Sequence, residues 1–354
     1  MSQCQRRNID VGINSLARAF AFLLGWFFVV MSLNGCVSSH PPKGFALLES
    51  LETYQGTDWQ DAVFVEQGNY RITTNTAKEV GVRAGLFMNR ALDVYRQITG
   101  DDLAALPVMQ VNVYATRRAY EREVKKQNLS QKVTTGYYSP DPPAAMHVPW
   151  VEIKGEHPLL TLAHEGFHQF AHQKALSNKQ LNPNDDPVRF PVFLPLWLNE
   201  GLAMFVEGAI VTEDQFDAGR INPFRLYHLQ KLIKEGRCPD LSGLLARRYG
   251  EPFTQADYSA SWGVVFALYH GLAVSGEWSH GNMLPSFLDQ LVQILELEQT
   301  VDMSGDEWVD ILGRSSSREG SVLFTGQPLL SWEAAWKLAM LNLQVDVPSG
   351  GLNN

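Results

Sequence analysis

Thr161-Leu162-Ala163-His164-Glu165-Gly166-Phe167-His168-Gln169, followed further along by Leu196-Trp197-Leu198-Asn199-Glu200-Gly201-Leu202-Ala203, decides how this 354-residue chain is read. Residues four apart on a helix stack on one face, so a helical reading of the first stretch sets His164 and His168 side by side, with Glu165 next to them as a base. The flanking residues Leu159, Leu160, Leu162, Ala163, Phe167 and Phe170 are apolar, which turns the polar groups toward an interior cleft rather than open water. The second stretch runs on through Met204-Phe205-Val206 and is too apolar and too long for anything but a buried helix. Glu200 inside it needs a partner, because burying an unpaired carboxylate is costly and no lysine or arginine lies within a helical turn.

A metal cation removes that cost. Two histidines and a glutamate leave the fourth position of a tetrahedral zinc ion open to water, which distinguishes hydrolytic zinc from a closed structural site. The reading is one Zn2+ ion per chain on His164, His168 and Glu200. The alternative is a surface His-Glu-x-x-His turn with Glu200 paired to a distant arginine such as Arg189. Gly166, Gly201 and Ala203 are expected to let the two ligand helices approach closely.

The two segments resemble the gluzincin metallopeptidases, whose third ligand is a glutamate on a second helix. Trp197-Leu198-Asn199-Glu200-Gly201 is similar to the glutamate helix of the aminopeptidase N family, and residues 64–207 resemble bacterial secreted proteins of the peptidase MA-like type. The resemblance implies His164, His168 and Glu200 as zinc ligands and Glu165 as general base. It also implies an edge strand beside the zinc helix that pairs with extended substrate, for which residues 146–151 are in position, although a plain strand before a helix reads equally well. An oxyanion donor from the helical part is implied too, and Tyr258 in Ala256-Asp257-Tyr258-Ser259-Ala260-Ser261-Trp262 is the candidate. Aminopeptidases hold the substrate amino terminus with Gly-x-Met-Glu-Asn. The nearest counterpart, Ala144-Ala145-Met146-His147-Val148, lacks the glutamate, which points to an endopeptidase acting on peptides or proteins.

Zinc-bound histidines donate their other N–H to a carboxylate or carbonyl, and Glu207, two turns beyond Glu200, is placed to accept one. His172, one turn beyond His168, is read as a capping or packing residue, since another protein ligand would close the site. Zinc lowers the pKa of a bound water, Glu165 accepts its proton, and a peptide carbonyl is attacked. A zinc-holding binding or scaffold module without turnover carries the same motifs, as does a hydrolase of a different amide or ester. Glu165 favours turnover, because a purely structural site has no use for a base.

Arg6, Arg7 and Arg18 precede an apolar run over residues 19–33, then Leu33-Asn34-Gly35-Cys36. This reads as a bacterial lipoprotein signal, the run being shorter than the roughly 20 residues of a membrane span, with an ordinary anchor or secretory signal as the alternative. Lipidated Cys36 would tether the protein to the cell envelope, and Val37 after it resembles lipoproteins sorted to the outer membrane. Of the 3 cysteines only Cys238 would then remain, so no intrachain disulfide forms, and nothing beside it supplies a base. The net charge of −9 and the lack of a long basic cluster exclude nucleic acid as a partner.

The fold class is α+β: a small mixed α/β N-terminal subdomain with an edge strand, then a mainly α-helical zinc-binding domain. Residues 1–35 are the signal, 36–58 the lipidated cysteine and tether, 59–155 the α+β subdomain, 156–345 the helical domain and 346–354 a tail. Within these, residues 62–66 and 70–74 alternate as a hairpin, 76–99 read as a helix ending at Gly100, and 108–114, 133–138 and 145–151 as strands around a helix at 117–127. Further helices are expected at 223–235, 259–273, 284–298, 306–312 and 331–343.

Overall fold

The computed structural model describes residues 48, 51, 56–100, 106–126, 135–140, 143–153, 156–178, 194–245, 247–273, 275–278, 282–285, 287–288 and 329–344. The expected signal, Cys36, Arg189, the helix at 306–312, most of those at 284–298 and of the tether, and the tail at 346–354 lie outside the described residues.

The chain is α+β. Strands β1 (Val63–Gln67) and β2 (Tyr70–Thr74) form the expected hairpin, closed at Gly68-Asn69 with Gly68 at φ +57°. Glycine adopts that left-handed conformation without steric penalty. Asn89 braces the turn, its Oδ1 accepting from Asn69 N–H at 3.0 Å and its Nδ2 donating to the Gln67 carbonyl at 2.7 Å. Asn89 belongs to α1 (Lys78–Thr99), which Gly100 ends at φ +73° by bonding back to the Arg96 carbonyl. Then come β3 (Met109–Tyr114), α2 (Arg117–Lys126), β4 (Tyr137–Ser139) and β5 (Ala145–Pro149). The sheet order is β1-β2-β3-β5-β4, with β2-β3 and β3-β5 parallel and the outer pairs antiparallel.

This order corrects the edge-strand expectation. The segment at 146–151 is not an edge: β5 pairs with β3 on one side and, through Tyr137↔His147 and Ser139↔Ala145, with β4 on the other. All five β5 residues are buried, as suits a strand covered on both faces, so the three-residue β4 forms the sheet margin. Met146 and Val148 face the main core, whereas His147 stacks on Tyr137 over the opposite face, where Tyr114 and Tyr137 cluster with Ala119, Tyr120 and Val124 of α2.

The helices α3 (Pro158–Asn178), α4 (Leu196–Ala209), α5 (Pro223–Lys234), α6 (Leu241–Leu245), α7 (Gln255–Tyr269) and α8 (Leu329–Asn342) follow. The main core runs without a break from Val65 to Met340, across the boundary expected at 155/156. Every α4 residue except Asn199 is buried. The closest approaches made by the glycines are not those between the two ligand helices. A Cβ on Gly166 would lie 2.4 Å from Met88 Cε and 2.6 Å from the Tyr95 hydroxyl of α1, and one on Gly201 would lie 2.7 Å from the Ser261 carbonyl of α7. The small residues therefore seat α3 and α4 on flanking helices. Helix α7 starts earlier than residue 259 because Thr254 and Asp257 make a reciprocal capping box. Helix α6, not foreseen, has its Leu241 N–H held by Glu333 of α8 at 3.1 Å. No helix among the described residues is long and apolar enough to cross a membrane.

Candidate metal centre

His164 and His168 project from α3 and Glu200 from α4, with one ligand atom from each lying within 4.8 Å of the others. Glu200 Oε2 sits 3.3 Å from His164 Nε2 and 3.6 Å from His168 Nε2. Glu200 is fully buried and neither of its oxygens receives a well-formed hydrogen bond. A buried carboxylate with no hydrogen-bond partner, facing two imidazole nitrogens, is a donor set that fits a cation.

The outer nitrogens of both rings are already engaged. His164 Nδ1 donates to Glu207 Oε1 at 2.7 Å, since a carboxylate accepts. Tyr249 donates its hydroxyl to the Leu194 carbonyl at 3.2 Å and accepts from Asn199 Nδ2 at 2.9 Å. Asn199 Oδ1 is therefore turned to accept from His168 Nδ1 at 3.0 Å. Both Nε2 atoms are left to face Glu200, the arrangement in which neutral imidazoles bind a metal. Without a metal, protons take that place. Burial alone would lower the His164 and His168 pKa values, but the neighbouring carboxylates, Glu200 for both and Glu207 for His164, raise them. Burial would likewise raise the Glu200 carboxyl, which His168 and His164 instead hold at about 2. A metal bound here would displace protons.

Glu165 is half-buried beside the group, and its Oε2 accepts the Tyr138 backbone N–H of β4 at 3.0 Å. Burial raises its carboxyl above the ordinary range, partly offset by His164 and His168. The sheet margin thus touches the candidate base directly. Tyr138 is fastened to α3 a second time, its hydroxyl lying 2.6 Å from His172 Nδ1, and burial holds His172 at about 4. A neutral imidazole accepts from the phenol, so His172 ties α3 to β4 and is not in the metal group.

Tyr258 is buried with a hydroxyl that has no hydrogen-bond partner. Its ring meets Phe253 edge-on at 4.8 Å, and burial, followed by the charge of Glu200, holds the phenol well above its ordinary range and so protonated. Four residues near the ligands were not foreseen. Asn199 alone had a local signal, as the one non-ligand polar side chain in its apolar stretch. Tyr249, Arg225 and Glu156 come from other elements; Glu156 is pushed up to about 7 by burial and by Glu207, against the pull of His164 and Arg225. Burial pushes Cys238 up to about 11, which keeps it a thiol. A cavity of about 430 Å³ lies elsewhere, lined by Val82, Arg83, Leu86, Phe87, Glu213 and Asp214 among others, and shares no residue with the metal group.

Fold and site together define an α+β protein with a buried His-His-Glu group able to hold a metal ion. No family model matches the chain, and no curated protein matches it.

Proposed function

We propose that the protein is a zinc-dependent metallopeptidase of the gluzincin type, an endopeptidase acting on peptide or protein chains. The supporting observation is the pair of partnerless Glu200 oxygens facing two histidines whose other nitrogens are already bonded. Two imidazoles and one carboxylate are the donor set of catalytic zinc with an open coordination position. Bound zinc would supply a water of near-neutral pKa and a Lewis acid for the scissile carbonyl.

The remaining steps belong to the side chains. Glu165 takes the proton of the attacking water and returns it to the leaving amine, a role suited to a carboxylate whose affinity for protons is raised by burial. Glu207 and Asn199 hold the ligand rings, and the Tyr258 hydroxyl donates to the developing oxyanion. The absent amino-terminus-binding glutamate in residues 144–148 supports internal cleavage. We further propose attachment to the bacterial cell envelope, at the outer membrane, through lipidated Cys36, supported by Leu33-Asn34-Gly35-Cys36 after an apolar run.

The test is cleavage of a diverse peptide library by the zinc-loaded protein beside Glu165→Ala, read by mass spectrometry. Internal cuts are expected from the unsubstituted protein, with a loss of about 10²- to 10⁴-fold on removing the base and zinc retained. His164→Ala is expected to lose zinc and cleavage together. Undiminished turnover in Glu165→Ala would overturn the assignment; zinc binding by both proteins without cleavage would assign the binding role instead.

A further inference from the structure

We infer that Arg225 is a positioning residue for the metal centre: acting through Glu207, it fixes the carboxylate that orients His164 and so sets how tightly the site holds a divalent cation. Arg225 is the only lysine or arginine among the buried described residues. Burying a guanidinium is costly unless its charge is compensated nearby. Its compensation lies toward the ligands: Nη2 is 3.7 Å from Glu207 Oε2, a charge pair rather than a hydrogen bond, while Glu207 Oε1 accepts from His164. Nη1 donates to Gln255 Oε1 at 3.1 Å, and Nε is buried without a partner. The two Glu207 oxygens thus face opposite partners, a cation on one side and a ligand imidazole on the other.

The backbone supports this placement. Arg225 sits in the first turn of α5, its N–H accepted by the Asn222 cap at 3.1 Å. The Asn222 segment closes directly onto Gly208, next to Glu207; a Cβ there would lie 3.0 Å from Asn222 Cβ and 3.2 Å from its backbone nitrogen. The guanidinium lies 5.6 Å from the Phe224 ring centroid and 6.0 Å from that of Tyr258, which limits its travel. Removing the charge frees Oε2 to turn, and Oε1 with it, so His164 loses a fixed acceptor. The inference rests on the metallopeptidase reading only for the presence of a bound cation.

The test is a double-mutant cycle on zinc affinity, measured by competition with a chromophoric chelator and independent of turnover. Arg225→Met is expected to weaken zinc about tenfold, at the lower end of what outer partners of metal ligands contribute. In the Glu207→Gln protein the same change is expected to cost less than about threefold, because the route is already cut. Arg225→Lys, which keeps the charge, is expected to stay within about threefold of the unsubstituted protein. Equal losses with and without Glu207, no loss in either, or a loss in Arg225→Lys as large as in Arg225→Met would each overturn the inference. If Arg225→Met does not fold by circular dichroism, Arg225→Gln takes its place in the same cycle, with the same outcomes. Failure of the unsubstituted protein to take up zinc would overturn the metal reading as well, whereas tight zinc without coupling would overturn this inference alone.

Discussion

His168 is held in place by a relay reaching beyond its own helix, from the Leu194 carbonyl through Tyr249 to Asn199. With Nδ2 donating to the Tyr249 hydroxyl, the Asn199 oxygen faces His168 Nδ1, which fixes the amide orientation and the imidazole tautomer. Asn199→Ala is therefore expected to weaken zinc about 10- to 100-fold while leaving the metal-free fold intact, measured by chelator competition beside circular dichroism. His147 is fixed in another way, its Nδ1 2.8 Å from the Tyr114 hydroxyl and its ring parallel to Tyr137 at 4.6 Å. Burial lowers it from 6.5 to about 4, and His172 behaves alike. A base whose folded pKa is depressed binds protons less well folded than unfolded, so its contribution is complete above 6.5 and is lost as the pH falls from there to about 4. Glu156 and Glu165, whose carboxyls are raised, act in the opposite sense over much of the same window, so the His147 part is read by difference: His147→Gln is expected to lose less stability between pH 6.5 and 4 than the unsubstituted protein, measured as urea midpoints.

Helix α3 carries two of the three residues of the candidate metal group, yet its seat is decided by Gly166. The Tyr95 hydroxyl crosses that glycine to donate to the Ala163 carbonyl at 2.7 Å, and Met88 fills the rest. Gly166→Ala is expected to destabilise the protein by about 1–3 kcal/mol through overpacking, read as a lower melting temperature of the metal-free protein. At the start of α7, Thr254→Ala is expected to cost about 1 kcal/mol through the lost capping box. The hairpin, α1 with its Gly100 stop, and the apolar character of α4 were legible, whereas the Thr254-x-x-Asp257 cap was not foreseen and the helix was expected to start at 259. Periodicity, turn residues and caps act over a few neighbours, and a sequence displays them directly. A strand overlapping β4 was foreseen at 133–138, but strand order escaped because the pairing of β4 with β5 joins segments whose register no local pattern displays. Helix α6 escaped because its first N–H is satisfied by Glu333, far along the chain.

Across the whole molecule, one core joins the sheet to the helices and the metal group joins α3 to α4. A ligand that binds only the folded state stabilises it by mass action, so zinc at about a hundred times its dissociation constant is expected to add about 2.7 kcal/mol. A higher melting temperature on adding zinc, reversed by chelation and absent in Glu200→Gln, is the expected record. That gain is expected to shrink as the pH falls, because protons compete for His164 and His168, whose affinity for them the neighbouring carboxylates raise. The sequence by itself determined the α+β class and singled out His164, His168 and Glu200 as one group with Glu165 beside it, since these rest on helical spacing, on a carboxylate in an apolar run and on local alternation. It also placed Glu207 on the ligand face of α4. Tertiary structure alone decided that Arg225 stands behind Glu207, that Tyr249 orients Asn199, and that β4 is the margin touching Glu165. Those contacts join side chains brought together only when separate elements pack, and nothing in the local spacing of residues encodes which will meet.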